Sequence, residues 1–152
     1  MPSFLKSDWA KGKKATPVPD QGGVIACETF EYSLSAALAL ADIIEIGILP
    51  GNARIVDAII DTDDLDTGGS PALTLDVGIM SGTVGDADTA RTVGTELFAA
   101  STIGQAGGMA RTTKGQRSTP TPLDRSIGVK VAAAPATGAT SGKIRLTVFY
   151  VM

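Results

Sequence analysis

The chain reads as all-β: an antiparallel, jelly-roll-like β-sandwich of about eight strands over residues 24–152, preceded by an extended N-terminal arm over residues 1–23. Three observations predict this. Apolar residues recur at every second position in several short windows, the period of a strand with one buried face. Turn-forming residues separate those windows, and the chain carries 18 Gly and 8 Pro among its 152 residues. Aromatic residues are only 5% of the chain while Thr, Ala and Val are abundant, which suits short strands better than long helices. Strands at this spacing indicate a sandwich or barrel, and the long connections suit the Greek-key wiring of a jelly roll.

The arm contains Pro2, Pro17 and Pro19 and ends in Gln21-Gly22-Gly23. Prolines remove amide donors and push the preceding residue away from helix, so an extended segment is expected. Over residues 24–34, Phe30, Tyr32 and Leu34 share one face and Thr29, Glu31 and Ser33 the other. Residues 35–41 are rich in Ala and Leu and are compatible with a short helical turn. Residues 42–49 resume strand character, with Ile44, Ile46 and Ile48 opposite Glu45 and Gly47, and Pro50-Gly51-Asn52 is a tight turn.

Residues 53–82 are the organising stretch: two apolar runs flank an acidic, glycine-rich turn. The first run holds Ile55, Val56, Ile59 and Ile60, with imperfect alternation but high β-branched content. The second sets Leu73, Leu75, Val77 and Ile79 against Thr74, Asp76, Gly78 and Met80. The expectation is an antiparallel hairpin with an acidic tip. Residues 83–92 read as a surface loop, 93–103 as a short strand or helical turn, and 104–123 as a long connection in which Met109 and Ala110 contribute a short strand. Residues 127–133 and 143–151 close the list of strands, the last with Ile144, Leu146, Val148 and Tyr150 inward and Phe149 and Val151 outward.

The net charge of -3 hides a segregation. Residues 1–23 hold four lysines against two aspartates, residues 24–110 hold thirteen acids against two arginines, and residues 111–152 hold seven bases against Asp124 alone. Either acidic and basic strands meet inside one fold, or opposite patches guide contacts with other chains.

Chemistry is sparse. There is no His, which removes the commonest general base. Cys27 is the only cysteine, so no intrachain disulfide forms. Among Ile25, Ala26 and Phe30 it reads as a small core residue. No phosphate-binding loop, dinucleotide fingerprint or zinc spacing occurs. Asp61, Asp63, Asp64 and Asp66 are the one candidate constellation for a hard cation. However, Leu65 falls where a calcium loop needs a ligand and no Gly follows at the sixth position, so a solvated turn with no metal and no cofactor is the expectation. No apolar run reaches the ~18 residues of a spanning helix, and the N-terminus lacks the apolar core of a secretory signal. Lys11, Lys13 and Lys14 make no folded basic face, so neither nucleic acid nor membrane is expected as a partner.

The stretch IGILPGNARIVDAIIDTDDLDTGGSPALTLDVGIMSG resembles one found in small head proteins of tailed bacteriophages. The shared features are Leu49-Pro50, Arg54-Ile55-Val56, the acidic run from Asp61 to Asp66, and Leu75-Asp76-Val77-Gly78. The resemblance covers about a quarter of the chain and implies the jelly-roll capsid decoration, or cement, proteins. A member of that family is made in the bacterial cytoplasm and binds the outer surface of an assembled icosahedral head. Its partners are the major capsid protein and further copies of itself, as a dimer or trimer, and it has no enzymatic role. Alternatives are another phage structural role, in the tail or the head–tail joint, and a carbohydrate- or ligand-binding β-sandwich. One Trp and two Tyr leave few aromatic platforms for sugars. On this reading Phe4, Trp9, Lys11, Lys13, Lys14, Arg111 and Arg117 are the candidate capsid or subunit contacts. The arm, reaching up to roughly 60 Å if fully extended, is expected to be dispensable for folding.

Overall fold

The computed structural model describes residues 2–20, 22–114 and 119–152. It contains nine strands: β1 (Phe4–Lys6), β2 (Ala26–Ser33), β3 (Ile43–Leu49), β4 (Arg54–Thr62), β5 (Thr74–Ile79), β6 (Phe98–Ser101), β7 (Gly108–Arg111), β8 (Arg125–Ala133) and β9 (Lys143–Val151). The single short 3-10 turn among the described residues is Ile103–Gln105. One sheet runs β1-β3-β8-β5-β6 and the other β2-β9-β4-β7.

Strands β2 to β9 form a jelly roll. β2 pairs with β9, β3 with β8, β4 with β7 and β5 with β6, all antiparallel. The chain therefore doubles back at β5–β6 and the resulting ribbon rolls up, joined across its width by β4–β9 and β5–β8. The apolar faces turn inward as the alternation dictates. Ile144, Leu146, Val148 and Tyr150 of β9 are fully buried, as are Ile127, Val129 and Val131 of β8 and Leu75 and Val77 of β5.

Several expectations need correction. Residues 53–82 do not form a hairpin: β4 lies in the four-stranded sheet and β5 in the five-stranded one. Both runs have a single buried face, and stacking face to face buries those faces against each other, which side-by-side pairing in one sheet cannot do. The imperfect alternation of β4 is a β-bulge between Ile55 and Asp57, so Ile55, Ala58 and Ile60 all point inward. A second bulge, between Glu45 and Gly47, turns Ile48 half outward and Leu49 inward. Cys27 is exposed rather than in the core, because it shares the outward parity of Thr29 and Glu31 on β2. Residues 35–41 form bends and turns, without helix.

The N-terminal segment is not a free arm. β1 adds in parallel to β3, with Phe4 opposite Ile43 and Lys6 opposite Glu45. Trp9 is buried and meets the Phe30 ring edge-on, centroids 5.4 Å apart at 88°. The Ser7 hydroxyl donates to the Ile46 carbonyl, the Thr16 hydroxyl donates to the Ile48 carbonyl at 2.9 Å, and the Tyr150 phenol donates to the Pro17 carbonyl. Burial, with Glu28 as a secondary cause, pushes that phenol up to about 12. The segment thus closes the side of the sandwich between the edges of β2 and β3. That covering protects strand edges that otherwise invite pairing with other chains.

Candidate functional site

The outer face of the five-stranded sheet carries a buried ion pair that alternation places at the surface. Glu45, on β3, is fully buried and its Oε1 accepts from Arg91 Nη1 at 3.1 Å, from the Gly85 amide at 3.0 Å and from the Ser126 hydroxyl. Lys6 Nζ lies 3.8 Å from Oε2. Arg91 is satisfied on every side: Nε donates to the Ser81 carbonyl, Nη1 also to the Asp86 carbonyl, and Nη2 to the Ser126 hydroxyl. Its guanidinium stands 5.5 Å from the Phe4 ring centroid. Residues 80–97 lie over this face closely enough to require glycine beneath them. A side chain at Gly78 would collide with the Glu96 carboxylate and the Gly94 carbonyl, and one at Gly128 would sit 2.6 Å from Met80 Cγ. The clasp therefore joins β1, β3, β8 and the long loop.

In the acidic turn every carboxylate has a protein partner, and Asp61 and Asp63 share Arg145. Asp66 is buried, and its two oxygens accept from the amides of Ala72, Leu73, Ala136 and Thr137 at 2.7 to 3.0 Å. Burial alone would raise its pKa; the four amides outweigh that and hold the carboxyl well below the usual aspartate range. Asp63 accepts from the Lys143 amide, Asp64 from the Asp66 amide, and Asp61 pairs with Arg145 at 3.4 Å. Among the described residues no three acids converge on a common point. The turn is a tether between the loops after β4 and β8.

This assigns Asp66 a testable role. Asp66→Asn lowers the melting temperature more than Asp63→Asn or Asp64→Asn. Because the folded carboxyl titrates below the unfolded one, its stabilisation is complete above about pH 4 and is lost as pH falls below that. The gap between wild type and Asp66→Asn is therefore widest near neutrality and narrows below about pH 4. A pH-independent gap in thermal melts refutes the assignment.

The charge segregation resolves largely within the fold. Arg145 on β9 lies in register between Glu31 of β2 and Asp61 of β4, and pairs with both; Lys143 also meets Glu31 at 2.9 Å. Lys143 and Arg145 lower the Glu31 pKa despite partial burial. Arg111, exposed on β7, binds Asp57 at 2.8 Å.

Of the candidate contact residues, Trp9 is spent inside its own protomer against Phe30, which corrects its expected place as a capsid or subunit contact. Phe4 is half-buried against Lys6 and Arg91. Lys11, Lys13 and Lys14 are exposed; Lys13 lies 3.8 Å from Asp8, and Lys14 Nζ stands 4.4 Å above the Trp9 ring. Arg117 lies outside the described residues. Glu45 and Arg91 are indistinguishable from surface charges in the sequence; the one hint is that Arg91 and Arg54 are the only bases across residues 24–110.

No protein-family model matches the chain, and no curated protein matches it. Solved structures do. A chain described as "Capsid of Ralstonia phage GP4" is 55% identical, with a TM-score of 0.95 over 99% of this chain and 98% of that one. A chain of the "Cyanophage Pam1 capsid asymmetric unit" is 30% identical, with a TM-score of 0.71 over 91% and 92%. A chain of the acid-stable capsid of Helicobacter pylori bacteriophage KHP30 shares the fold at 13% identity, TM-score 0.54, over 87% and 90%.

A jelly roll this close to phage capsid chains along its whole length is a virion structural protein. The chain belongs to the family of bacteriophage capsid proteins that includes the Ralstonia phage GP4 chain.

Proposed function

We infer that this protein is a capsid decoration, or cement, subunit that binds the outer surface of an assembled icosahedral head and stabilises it through non-covalent contacts. Its partners are the major capsid protein and further copies of itself. The observation that carries this reading, within a capsid family, is the self-contained fold. The N-terminal segment is stitched onto its own body by β1, Ser7, Trp9, Thr16 and the Pro17 carbonyl, so the protomer is finished before it meets a neighbour. A finished subunit suits attachment to a completed shell, where many modest contacts repeated over the lattice act together. Copies meet through the outer face of the four-stranded sheet, where Cys27 is exposed and Phe149, Ile59 and Val151 are half-buried.

Purified protein added to capsids assembled without it should bind saturably and raise the temperature at which they break open. Light scattering of the free protein should give a dimer or trimer mass. Incorporation only during co-expression with the shell protein, or closed shells formed by this chain alone, sinks the decoration reading. A monomer mass at micromolar concentration removes self-association.

A further inference from the structure

The two ends of the sandwich differ in chemistry. One end is built from residues 13–20, 22–25, 50–54, 81–85 and 119–125. It is held together by the Asn52 amide on the Thr121 carbonyl, the Gly51 amide on Asp124 and Arg125 on the Ala53 carbonyl. The other end comprises the loops 34–42, 63–73 and 134–142. Six large apolar side chains among the described residues are exposed, and four of them, Val18, Val24, Ile25 and Leu123, lie at the first end. Leu123 is 77% exposed and Ile25 62%. Two adjoining grooves sharing Asp124 open there. One, of about 680 Å³, is walled by Val84, Pro122, Leu123 and Arg125; the other, of about 280 Å³, by Lys14, Val18, Ile48 and Pro50.

The charges follow the same division. The described residues of the first end bring Lys13, Lys14, Arg54 and Arg125 against Asp20 and Asp124; Lys13 also faces Asp8 at 3.8 Å, Asp124 is committed to the Gly51 amide, and Arg125 to the Ala53 and Thr119 carbonyls. The loops of the opposite end bring Asp42, Asp63, Asp64 and Asp66 and no base.

We propose that the apolar, basic end bearing Leu123, Val18 and Lys14 is the face that docks on the capsid shell, and that it recognises an apolar surface of the shell protein rimmed by carboxylates. The inference rests on the decoration reading and adds where the contact is made and with what chemistry. A second copy fits the end poorly. Meeting itself about a two-fold axis, the end would set its four bases against the same four of its partner, and its fewer acids offset only part of that like charge. Meeting the acidic end of another copy makes a head-to-tail contact, which grows into filaments unless its rotation closes a ring. Apolar patches rimmed by polar groups mark interaction sites, and complementary charge on the rim guides approach and fixes register.

The test is co-sedimentation with capsids assembled without the protein, across a salt series. Leu123→Ser and the pair Lys13→Glu/Lys14→Glu alter exposed side chains and leave the melting temperature close to wild type. Each weakens binding by about tenfold or more, the scale of one well-packed contact. Wild-type affinity falls with salt, and the charge-reversed pair loses that dependence. Asp64→Asn, at the opposite end, binds as wild type. If wild type binds while Leu123→Ser and the lysine pair bind equally well, the docking face is elsewhere and this proposal falls alone. If wild type does not bind, the decoration reading falls and takes the proposal with it. If Leu123→Ser changes the mass of the free protein by light scattering, the end is a self-interface and the proposal is overturned.

Discussion

Replacing Glu45 by alanine lowers stability by about 3–5 kcal/mol, the usual cost of breaking a buried ion pair and leaving one charge behind. For a domain of this size that is a fall in melting temperature of roughly 6–20 °C. The charge left behind is Arg91, 2% exposed at its side chain, and its other hydrogen bonds go to neutral oxygens that do not compensate a cation. The Gly85 amide and the Ser126 hydroxyl lose their shared acceptor at the same moment. A paired replacement, Glu45→Leu with Arg91→Met, recovers part of the loss, because two apolar side chains of similar volume need no partner, although the buried Ser126 hydroxyl still lacks one. Thermal melts of the two variants decide the matter. A single variant within about 1 kcal/mol of wild type would show that the pair behaves as an exposed one and that the loop over residues 80–97 does not depend on it.

Removing residues 2–14 destabilises the fold instead of freeing a dispensable arm. Trp9 alone accounts for about 3–5 kcal/mol, the range for a large aromatic removed from a packed core. Its loss uncovers Phe30, and the loss of β1 leaves the edge of β3 open. Trp9→Ala reproduces most of the fall in melting temperature while leaving the lysines and β1 in place. Lys11→Ala and Lys13→Ala leave it nearly unchanged, since both side chains are exposed. A truncated protein that melts with wild type would return the segment to the role of a free arm. Edge protection adds a second readout: the truncated protein, with β3 uncovered, aggregates at lower concentration than Trp9→Ala does.

The strand faces were legible because they are local. Alternation at period two marks Ile144, Leu146, Val148 and Tyr150, or Leu75 and Val77, as inward-facing wherever the neighbouring strands lie. Even the irregularity of β4 was visible in the run Ile55-Val56-Asp57, and the structure identifies it as a bulge. The short strand containing Met109 and Ala110 was readable for the same reason. Cys27 was misread as a core residue from its apolar neighbours, whereas its parity with Thr29 and Glu31 places it outward.

Alternation does not record which sheet a strand joins. β4 and β5 follow one another in the chain yet sit in opposite layers, because their partners β9 and β8 are drawn from far along the sequence. Nor does it record what covers an outward face. Glu45 shares the outward parity of a solvated residue, and only the arrival of Arg91, 46 positions later, makes it a buried clasp. Trp9 in a proline-bearing segment carries no period, so its burial against Phe30 depends on the gap between two sheet edges that exist only after the roll has closed. The sequence by itself determined the all-β class, the inward faces and the jelly-roll resemblance, because these depend on side-chain parity and short motifs. The tertiary structure decided sheet membership, the covered edge, the buried ion pair and the polarity of the two ends, because each depends on pairings between residues distant along the chain.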